Sequence, residues 1–572
     1  MSEKRPAWST TKKTRMLRRE RQMSRFWPIW SLRPRSEDQP IASQSAGRST
    51  KAKHSWLRTG LAVVAGRAVG ALSRRLHLGG GTSIVGVVAQ RLDPHIVDHL
   101  ARQLAYGSVA VAGTNGKTTT SSFIAAILSN AGLPVWRNRE GSNLMRGIAT
   151  ALVIRALPNG RLRHSGKAIA VLEVDEAVLP QAVQAALPRV CVLTNLFRDQ
   201  LDRYGEVDSV ITLWRRAISV LPTDTTLVLN ADDPSIAALG KSFAGRVLYY
   251  GIDDPSLDLA RQQSGSERHQ VPDARTCSQC GGTYVYMLRF YSHMGHYACP
   301  HCGLQRPQPY VRAIQVRTES FDRLRLLVAT PTHQEEVVIP LPGLYNVYNA
   351  LAAITAAQAL EVGWDAVLSG IGQAKPVFGR GEQIEAEGRT IRLLLAKNPT
   401  GFNEVLRTLF SDETPRHVLF ILQDNIADGR DVSWIWDVDF ERAVGRMQSL
   451  VVAGTRALDL AVRLKEAGVA QEDMTIVPSA SLRAARQEYT RNGHVRPMRK
   501  VLRETGRGTL EVMDPVVSTP VVRAYGLKNA LNLALSQTPV GETLFIVPTY
   551  TGLLEVHREL EQRGLAPHYW EE

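Results

Sequence analysis

Five cysteines in 572 residues are too few for a disulfide framework in a chain of this length. No apolar run approaches the length of a membrane-spanning helix, and Phe26-Trp-Pro-Ile-Trp30 is too short and too broken by proline to form a signal-peptide core. A cytoplasmic protein is therefore expected, with peripheral attachment to the inner face of the membrane left open. Acidic residues are scarce at the start of the chain. Residues 1–53 hold 4 Asp and Glu against 14 Lys and Arg, a net of +10 out of the +15 carried by the whole chain. Such an arm, expected to be disordered over residues 1–55, suits nucleic acid, an anionic membrane surface, or no partner beyond water.

What remains is globular in composition, with 44% hydrophobic and 22% charged residues, and its length calls for two to four domains. Its organising stretch is Ser108-Val-Ala-Val-Ala-Gly-Thr-Asn-Gly-Lys-Thr-Thr-Thr120. A β-branched and alanine-rich run passes through a glycine turn into a segment of helical spacing, which reads as strand, phosphate loop and helix. Gly113 and Gly116 let backbone N–H groups close around phosphate oxygens, Lys117 neutralises the terminal phosphates, and Thr118 offers a hydroxyl to Mg2+. Thr114, Asn115 and Thr119 complete the loop. Val111 stands where the general phosphate-loop pattern has its first glycine.

Strand and helix patterns then alternate, as an α/β sheet requires. A buried strand over 167–174 runs into Glu173, Asp175 and Glu176, and carboxylates at a strand end beside a phosphate loop suit a metal. The bland reading is a set of solvated loop acids. Strands are also expected at 190–195 and 226–234, the second with an Asn and two Asp at its end, and Cys191, inside the first of these, reads as inert core. The alternation is interrupted by Cys277-Ser-Gln-Cys280 and Cys299-Pro-His-Cys302, two knuckles each followed by glycine. That spacing predicts a four-thiolate structural zinc ribbon over about 270–310, with redox pairs as the alternative. His293, His296 and His301 are not needed as ligands.

Strands resume at 311–316 and 323–329. Gly343-Leu-Tyr-Asn-Val-Tyr-Asn349 opens an alanine-rich helix whose Asn346 and Asn349 could face a base or phosphate, or simply cap the helix. Pro376 to Glu382 marks a boundary, after which a second α/β pattern has strands at 390–395, 417–422, 450–453 and 543–548. Its loop from Asp424 to Asp437 concentrates aspartates and two tryptophans directly after a strand, an unusual mixture for a merely structural loop. Residues 484–516 are basic and lack a pattern, and are expected to be an irregular insertion. The stretch 56–75 reads as a basic amphipathic helix, packing on its own domain or lying on a membrane.

The wording Gly113-Thr-Asn-Gly-Lys-Thr118 resembles the Mur ligases and folylpolyglutamate synthases, which use ATP to turn a carboxylate into an acyl phosphate. Together with Asn138 and Gly141-Ser-Asn143, Asp175-Glu-Ala177, Thr194-Asn195, Asn230-Ala-Asp-Asp-Pro234, the four cysteines, Tyr345-Asn-Val-Tyr-Asn349, Lys397-Asn-Pro-Thr-Gly-Phe-Asn403, Asp428-Gly-Arg-Asp-Val-Ser-Trp-Ile-Trp436 and Thr549-Tyr-Thr551, it is similar to the MurT family, over roughly residues 57–572. The resemblance implies a Mur ligase-like central ATP-binding α/β domain (56–380) with an inserted zinc ribbon, followed by a Rossmann-like α/β domain (381–572). It implies ATP-dependent amidation of the D-glutamate α-carboxylate in the lipid II stem peptide, with ammonia from a separate GatD-type glutaminase subunit. Thr118 and Glu176 would hold Mg2+, Lys117 would act on the transferring phosphoryl group, and Asn346, Asn349, Arg380 and Lys397 would serve the nucleotide. One of Asp424, Asp428 and Asp431 would complete the glutaminase's Cys-His pair. Typical Mur ligases carry Asp-Tyr-Ala-His-Asn-Pro where this chain has Leu394-Leu-Ala-Lys-Asn-Pro399, so the usual ribose-binding Asp is missing. The rival readings are a Mur-like ligase that joins an amino acid, and a nucleic-acid-binding zinc-ribbon protein; on the favoured reading no nucleic acid is bound.

Overall fold

The computed structural model describes residues 48–75, 82–138, 142–164, 167–198, 207–262, 276–376, 378–479, 503–504, 510–511 and 525–566. The basic arm up to residue 47, Gly141, most of the run 198–205 and nearly all of the insertion 484–516 lie outside them.

Two sheets carry the molecule. The first has nine strands: β1 (Ser108–Ala112), β2 (Val135–Arg137), β3 (Ile169–Glu173), β4 (Val190–Leu193), β5 (Thr226–Asn230), β6 (Arg246–Ile252), then, beyond the hairpin β7 (Val285–Tyr291) and β8 (Met294–Ala298), β9 (Val311–Ser320), β10 (Arg323–Ala329) and β11 (Gln334–Ile339). Its order is β11-β10-β9-β6-β5-β4-β1-β3-β2, parallel from β2 through β9 and antiparallel at β10 and β11. The second sheet contains β12 (Arg380–Ala386), β13 (Arg389–Leu394), β14 (Arg416–Ile421), β15 (Met447–Gly454) and β16 (Met474–Pro478). After the isolated pair β17 (Arg503–Glu504) and β18 (Leu510–Glu511), β19 (Thr543–Pro548) joins it in the order β12-β13-β19-β14-β15-β16.

β1 is buried along its whole length because both faces of the sheet are covered. Val109 and Val111 enter one core with helices Lys117–Asn130 and Leu344–Ala359, while Ala110 and Ala112 enter the other with Met145–Val153 and Leu179–Ala186. Alternation of side chains across the pleat thus explains the continuous apolar run. Cys191 lies in the second of these cores, fully buried, and desolvation pushes its thiol up to about 12. It is an inert core residue. The strand at Thr543–Pro548 matches its expected limits, and those near 390, 417 and 450 shift by one to three residues. β6, β11 and β16 were not among the expected strands.

The ribbon hairpin projects inward. Phe290, His293 and Met294 at its tip are fully buried, and Arg407 of helix Pro399–Leu409 donates to the Phe290 carbonyl at 2.6 Å. The hairpin therefore touches both halves of the molecule. Among the described residues, no helix is long and apolar enough to cross a membrane.

Candidate active site between the two sheets

The phosphate loop leaves β1 at the middle of its sheet. Gly113 has φ of 149°, and a Cβ there would stand 2.0 Å from Thr194 Oγ1; Gly116 has φ of 84°, and its Cβ would stand 2.1 Å from Asn349 Oδ1. Both positions require glycine for backbone reasons and for space. Neighbouring strand ends hold the loop open. Asn115 N–H donates to Asn195 Oδ1 at 2.8 Å, and Thr194 Oγ1 and Asn195 Nδ2 donate to Asn115 O at 2.9 and 3.0 Å. These contacts account for Thr194-Asn195.

Lys117 begins the helix and is buried. Its Nζ lies 2.6 Å from Glu176 Oε1 and donates to the Gly113 carbonyl at 2.5 Å. A buried ammonium beside a buried carboxylate, both on a cavity wall, forms a charge pair that an incoming polyphosphate and its cation can each engage. The Trp214 indole donates to the Glu176 carbonyl at 2.8 Å and fixes that segment.

The cavity, about 360 Å3, is bounded on one side by Thr114, Asn115, Gly116, Lys117, Thr118 and Thr119 and on the other by Arg380, Lys397, Thr400, Gly401 and Glu404. Glu176 and Asn349 also line it. Gly113, the first residue of the loop, is not among the residues lining the cavity. Asn346 does not line the cavity: its amide donates to the Pro342 carbonyl at 2.6 Å and its Oδ1 accepts from Asn349 at 3.0 Å, so it orients Asn349. The two sheets are linked across the cavity by a reciprocal amide pair. Asn398 Nδ2 donates to Asn115 Oδ1 at 3.0 Å and Asn115 Nδ2 to Asn398 Oδ1 at 3.4 Å, while Asn398 caps its own helix through Gly401 N–H at 2.7 Å.

Glu173, Asp175 and Glu176 all border the cavity, yet among the described residues they do not converge on one point as a ligand set. A hard cation here would need phosphate oxygens alongside Glu176 and Thr118. The cysteines do converge. Cys277 and Cys302 sulfurs lie 3.6 Å apart, those of Cys280 and Cys299 3.5 Å, and all four fall within 4.8 Å of one another. Sulfurs bound at about 2.3 Å to one tetrahedral ion stand about 3.8 Å apart, so the set fits zinc. Gly281 and Gly303, both with φ of 73°, permit the turns, in which each glycine N–H returns to the carbonyl of the first cysteine at 2.8 and 2.9 Å.

The acidic loop after β14 is placed differently. Asp424 pairs with Arg456 at 2.9 Å and accepts from Thr455 Oγ1 at 2.7 Å. Asp431 is exposed and accepts from Ser433 N–H at 2.8 Å. Asp428 is buried and turned inward, accepting from the Thr551 N–H at 2.9 Å and from its hydroxyl, at the start of helix Tyr550–Gln562. Desolvation raises its pKa, against the opposing hydrogen bonds from Thr551. Thr549-Tyr-Thr551 is thereby explained as the seat of this loop.

Phe197, Tyr291, Tyr345, Phe378 and Glu404 line the cavity without having been singled out as site residues. Burial holds the Glu404 carboxyl above its ordinary range despite Arg407 beside it, and its Oε2 has no hydrogen-bond partner. Its place one residue after Lys397-Asn-Pro-Thr-Gly-Phe-Asn403 was the available signal.

A model of the Mur ligase middle domain matches residues 111–281, and one of the MurT ligase C-terminal region matches residues 395–497. The MurT subunit of the glutamine-hydrolysing lipid II isoglutaminyl synthase of Staphylococcus aureus (strain COL) is 34% identical over 415 residues, covering 72% of this chain and 88% of that protein. Its counterpart from Streptococcus pneumoniae is 33% identical over 420 residues, covering 73% and 89%. Among solved structures, a pseudomurein peptide ligase type C from Methanothermus fervidus aligns with a TM-score of 0.53 at 21% identity, covering 80% of this chain and 79% of that one. MurF from Acinetobacter baumannii aligns with a TM-score of 0.50 at 16% identity, covering 82% and 79%. These two likenesses establish the Mur ligase-like α/β fold, and the sequence relatives establish more: the chain belongs to the MurT family of Mur-type ATP-dependent ligases.

Proposed function

We propose that this protein amidates the α-carboxylate of D-glutamate in the lipid II stem peptide, giving D-isoglutamine at the expense of ATP. The observation that carries the reading is a cavity joining the Lys117–Glu176 pair to Lys397, Thr400 and Glu404 of the second half, in a chain of the MurT family. A carboxylate oxygen of the substrate attacks the γ-phosphorus of ATP, and ADP leaves. Ammonia then attacks the acyl carbon, inorganic phosphate departs and a proton is lost, leaving the amide. Lys117 offsets charge on the transferring phosphoryl group. Thr118 and Glu176 are the side chains that would hold Mg2+, which would neutralise phosphate charge. Gly113 to Thr119 cradle the phosphates, and Asn349, Arg380 and Lys397 face the nucleotide, with Asn346 fixing Asn349. The Asn115–Asn398 pair keeps the two halves closed over an intermediate that water would destroy.

No cysteine is left to act as a glutaminase nucleophile, because four form the ribbon and Cys191 is buried in a core. Ammonia is therefore assigned to a GatD-type glutaminase subunit, docked on the 424–437 loop. Asp424 and Asp431 reach the surface there, and one of them would orient the partner's histidine; Asp428, turned inward, is assigned a supporting role. The zinc is structural, and the second sheet forms a Rossmann-like domain.

The test is incubation of the full chain with lipid II, ATP and ammonium chloride, without a glutaminase, and detection of the hydroxyl-to-amine exchange by mass. Product that disappears with Lys117→Ala supports the proposal. ATP turnover without amidation would assign another amine or carboxylate and defeat it.

A further inference from the structure

From Trp56 onward the helix Arg48–Arg75 has apolar residues on two opposite sides, and among the described residues only one of these sides is covered. On the inner side Thr59, Ala62, Gly66 and Gly70 let it press closely on helix Thr82–Leu92. A Cβ at Gly66 would meet the Val85 carbonyl at 2.9 Å, and one at Gly70 would meet the Val85 side chain at 2.4 Å. Thr59 Oγ1 donates to Asp93 at 2.7 Å, Arg58 to the Leu92 carbonyl at 2.6 Å, and Arg67 to the Ala156 carbonyl at 2.9 Å. These contacts fix the rotation of the helix about its axis.

The opposite side is consequently held outward. Leu57, Leu61, Val64, Ala68 and Leu72 follow at spacings of three or four residues, so they form one stripe. All five are exposed, Leu57 and Leu61 to 70% and 69%. Isolated exposed leucines need no explanation, but a stripe along four turns does. It continues directly from the basic segment 1–53, whose net charge is +10. An apolar face with a strongly cationic extension is complementary to a surface that offers hydrocarbon and negative charge together.

We infer that the exposed stripe of helix Arg48–Arg75, with the basic arm preceding it, docks on an anionic lipid bilayer. The stripe supplies shallow insertion and the arm supplies long-range attraction. Helix Thr82–Leu92, on which the docking helix rests, packs in turn on Met145–Val153, and Asn143, Leu144 and Arg146 at the start of that helix line the cavity. Docking thus places the domain that carries the cavity at a membrane surface, two helix layers away from the cavity wall, though the inference itself does not depend on the substrate proposed above.

Co-sedimentation of the full chain with vesicles tests it. Binding is expected to phosphatidylglycerol–phosphatidylcholine vesicles and not to phosphatidylcholine alone, weakening with salt. The combined variant Leu57→Ser, Leu61→Ser, Leu72→Ser is expected to lower affinity for the anionic vesicles by roughly tenfold or more while its melting temperature and ATP turnover stay unchanged. No binding to anionic vesicles, or equal binding by the variant, would overturn the inference, as would conversion of a dimeric wild type into a monomer by these changes. Should the variant fold poorly, a polarity-sensitive dye on Val64→Cys provides the second reading: a blue shift with anionic vesicles is expected, and its absence refutes insertion.

Discussion

Two loops leave the carboxyl ends of central strands in this molecule, one after β1 and one after β14, and they are built in opposite ways. The first, Gly113 to Lys117, is enclosed: its glycines occupy backbone regions closed to other residues, and Thr194, Asn195 and Asn349 fill the space around it. The second, from Asp424 to Asp437, is anchored at its base and open at its tip. Asp428 ties it to Thr551, and Asn403 accepts from Asp439 N–H at 2.7 Å, yet Ile426 is 81% and Trp436 52% exposed. An enclosed loop lined with polar backbone fits a small anion. An open loop with an apolar tip flanked by carboxylates fits a macromolecular surface. The same position at the end of a parallel strand is therefore built in two chemically different ways, separated by what covers the loop.

Damage to the enclosed loop should abolish the reaction whatever the ammonia source. Lys117→Ala is expected to lower amidation by roughly a hundred- to thousandfold in both ammonium- and glutamine-driven assays, because it removes charge compensation and leaves Glu176 buried without its ion pair. Gly116→Ala forces a methyl group into the Asn349 amide at a φ of 84° and should cost about 1–3 kcal/mol of stability, read from denaturant unfolding, together with nucleotide binding. Retention of nucleotide affinity in Gly116→Ala would show that the enclosure is looser than its geometry implies.

The contrast was only half legible in the sequence. Gly113 to Thr118 and the two cysteine knuckles are local constructions: residues a few positions apart meet through one turn, so spacing alone displays them. The inward turn of Asp428 depends on helix Tyr550–Gln562, more than a hundred residues away, and the Asn115–Asn398 pair spans 283 positions. No periodicity encodes such meetings. Asn346, read as a direct nucleotide contact, sits one hydrogen bond behind Asn349 because the helix turns it toward Pro342. The stretch 56–75 was legible as a basic amphipathic helix, but its division into a glycine-rich inner face and a leucine-rich outer face emerges only once helix Thr82–Leu92 is placed beside it.

Damage to the open loop should separate the two ammonia sources. Of Asp424→Ala and Asp431→Ala, the one that removes the partner's orienting carboxylate is expected to lower glutamine-driven amidation about a hundredfold and leave ammonium-driven amidation unchanged. Equal loss in both assays would place the aspartate in the synthetase cavity instead. Trp436→Ala, acting on contact area alone, is expected to weaken partner binding about tenfold, measured by titration of the two subunits.

The smallest effect concerns Asp428, and it isolates what anchoring contributes. Asp428→Asn keeps an oxygen acceptor for the Thr551 N–H while removing charge that burial already disfavours, so stability should change by less than about 1 kcal/mol. Asp428→Ala leaves the Thr551 N–H at the helix start without this acceptor and should cost about 1–2 kcal/mol, seen as a lower urea midpoint. The sign of its pH dependence follows from the raised pKa. Protonation is favoured in the folded state, so the contribution of Asp428 to stability is greatest below the ordinary Asp range and declines as pH rises through the raised value. In Asp428→Asn that slope should disappear. If Asp428→Asn instead abolished glutamine-driven amidation with stability intact, the inward carboxylate would be the one that serves the partner, and the loop would have to turn outward on binding.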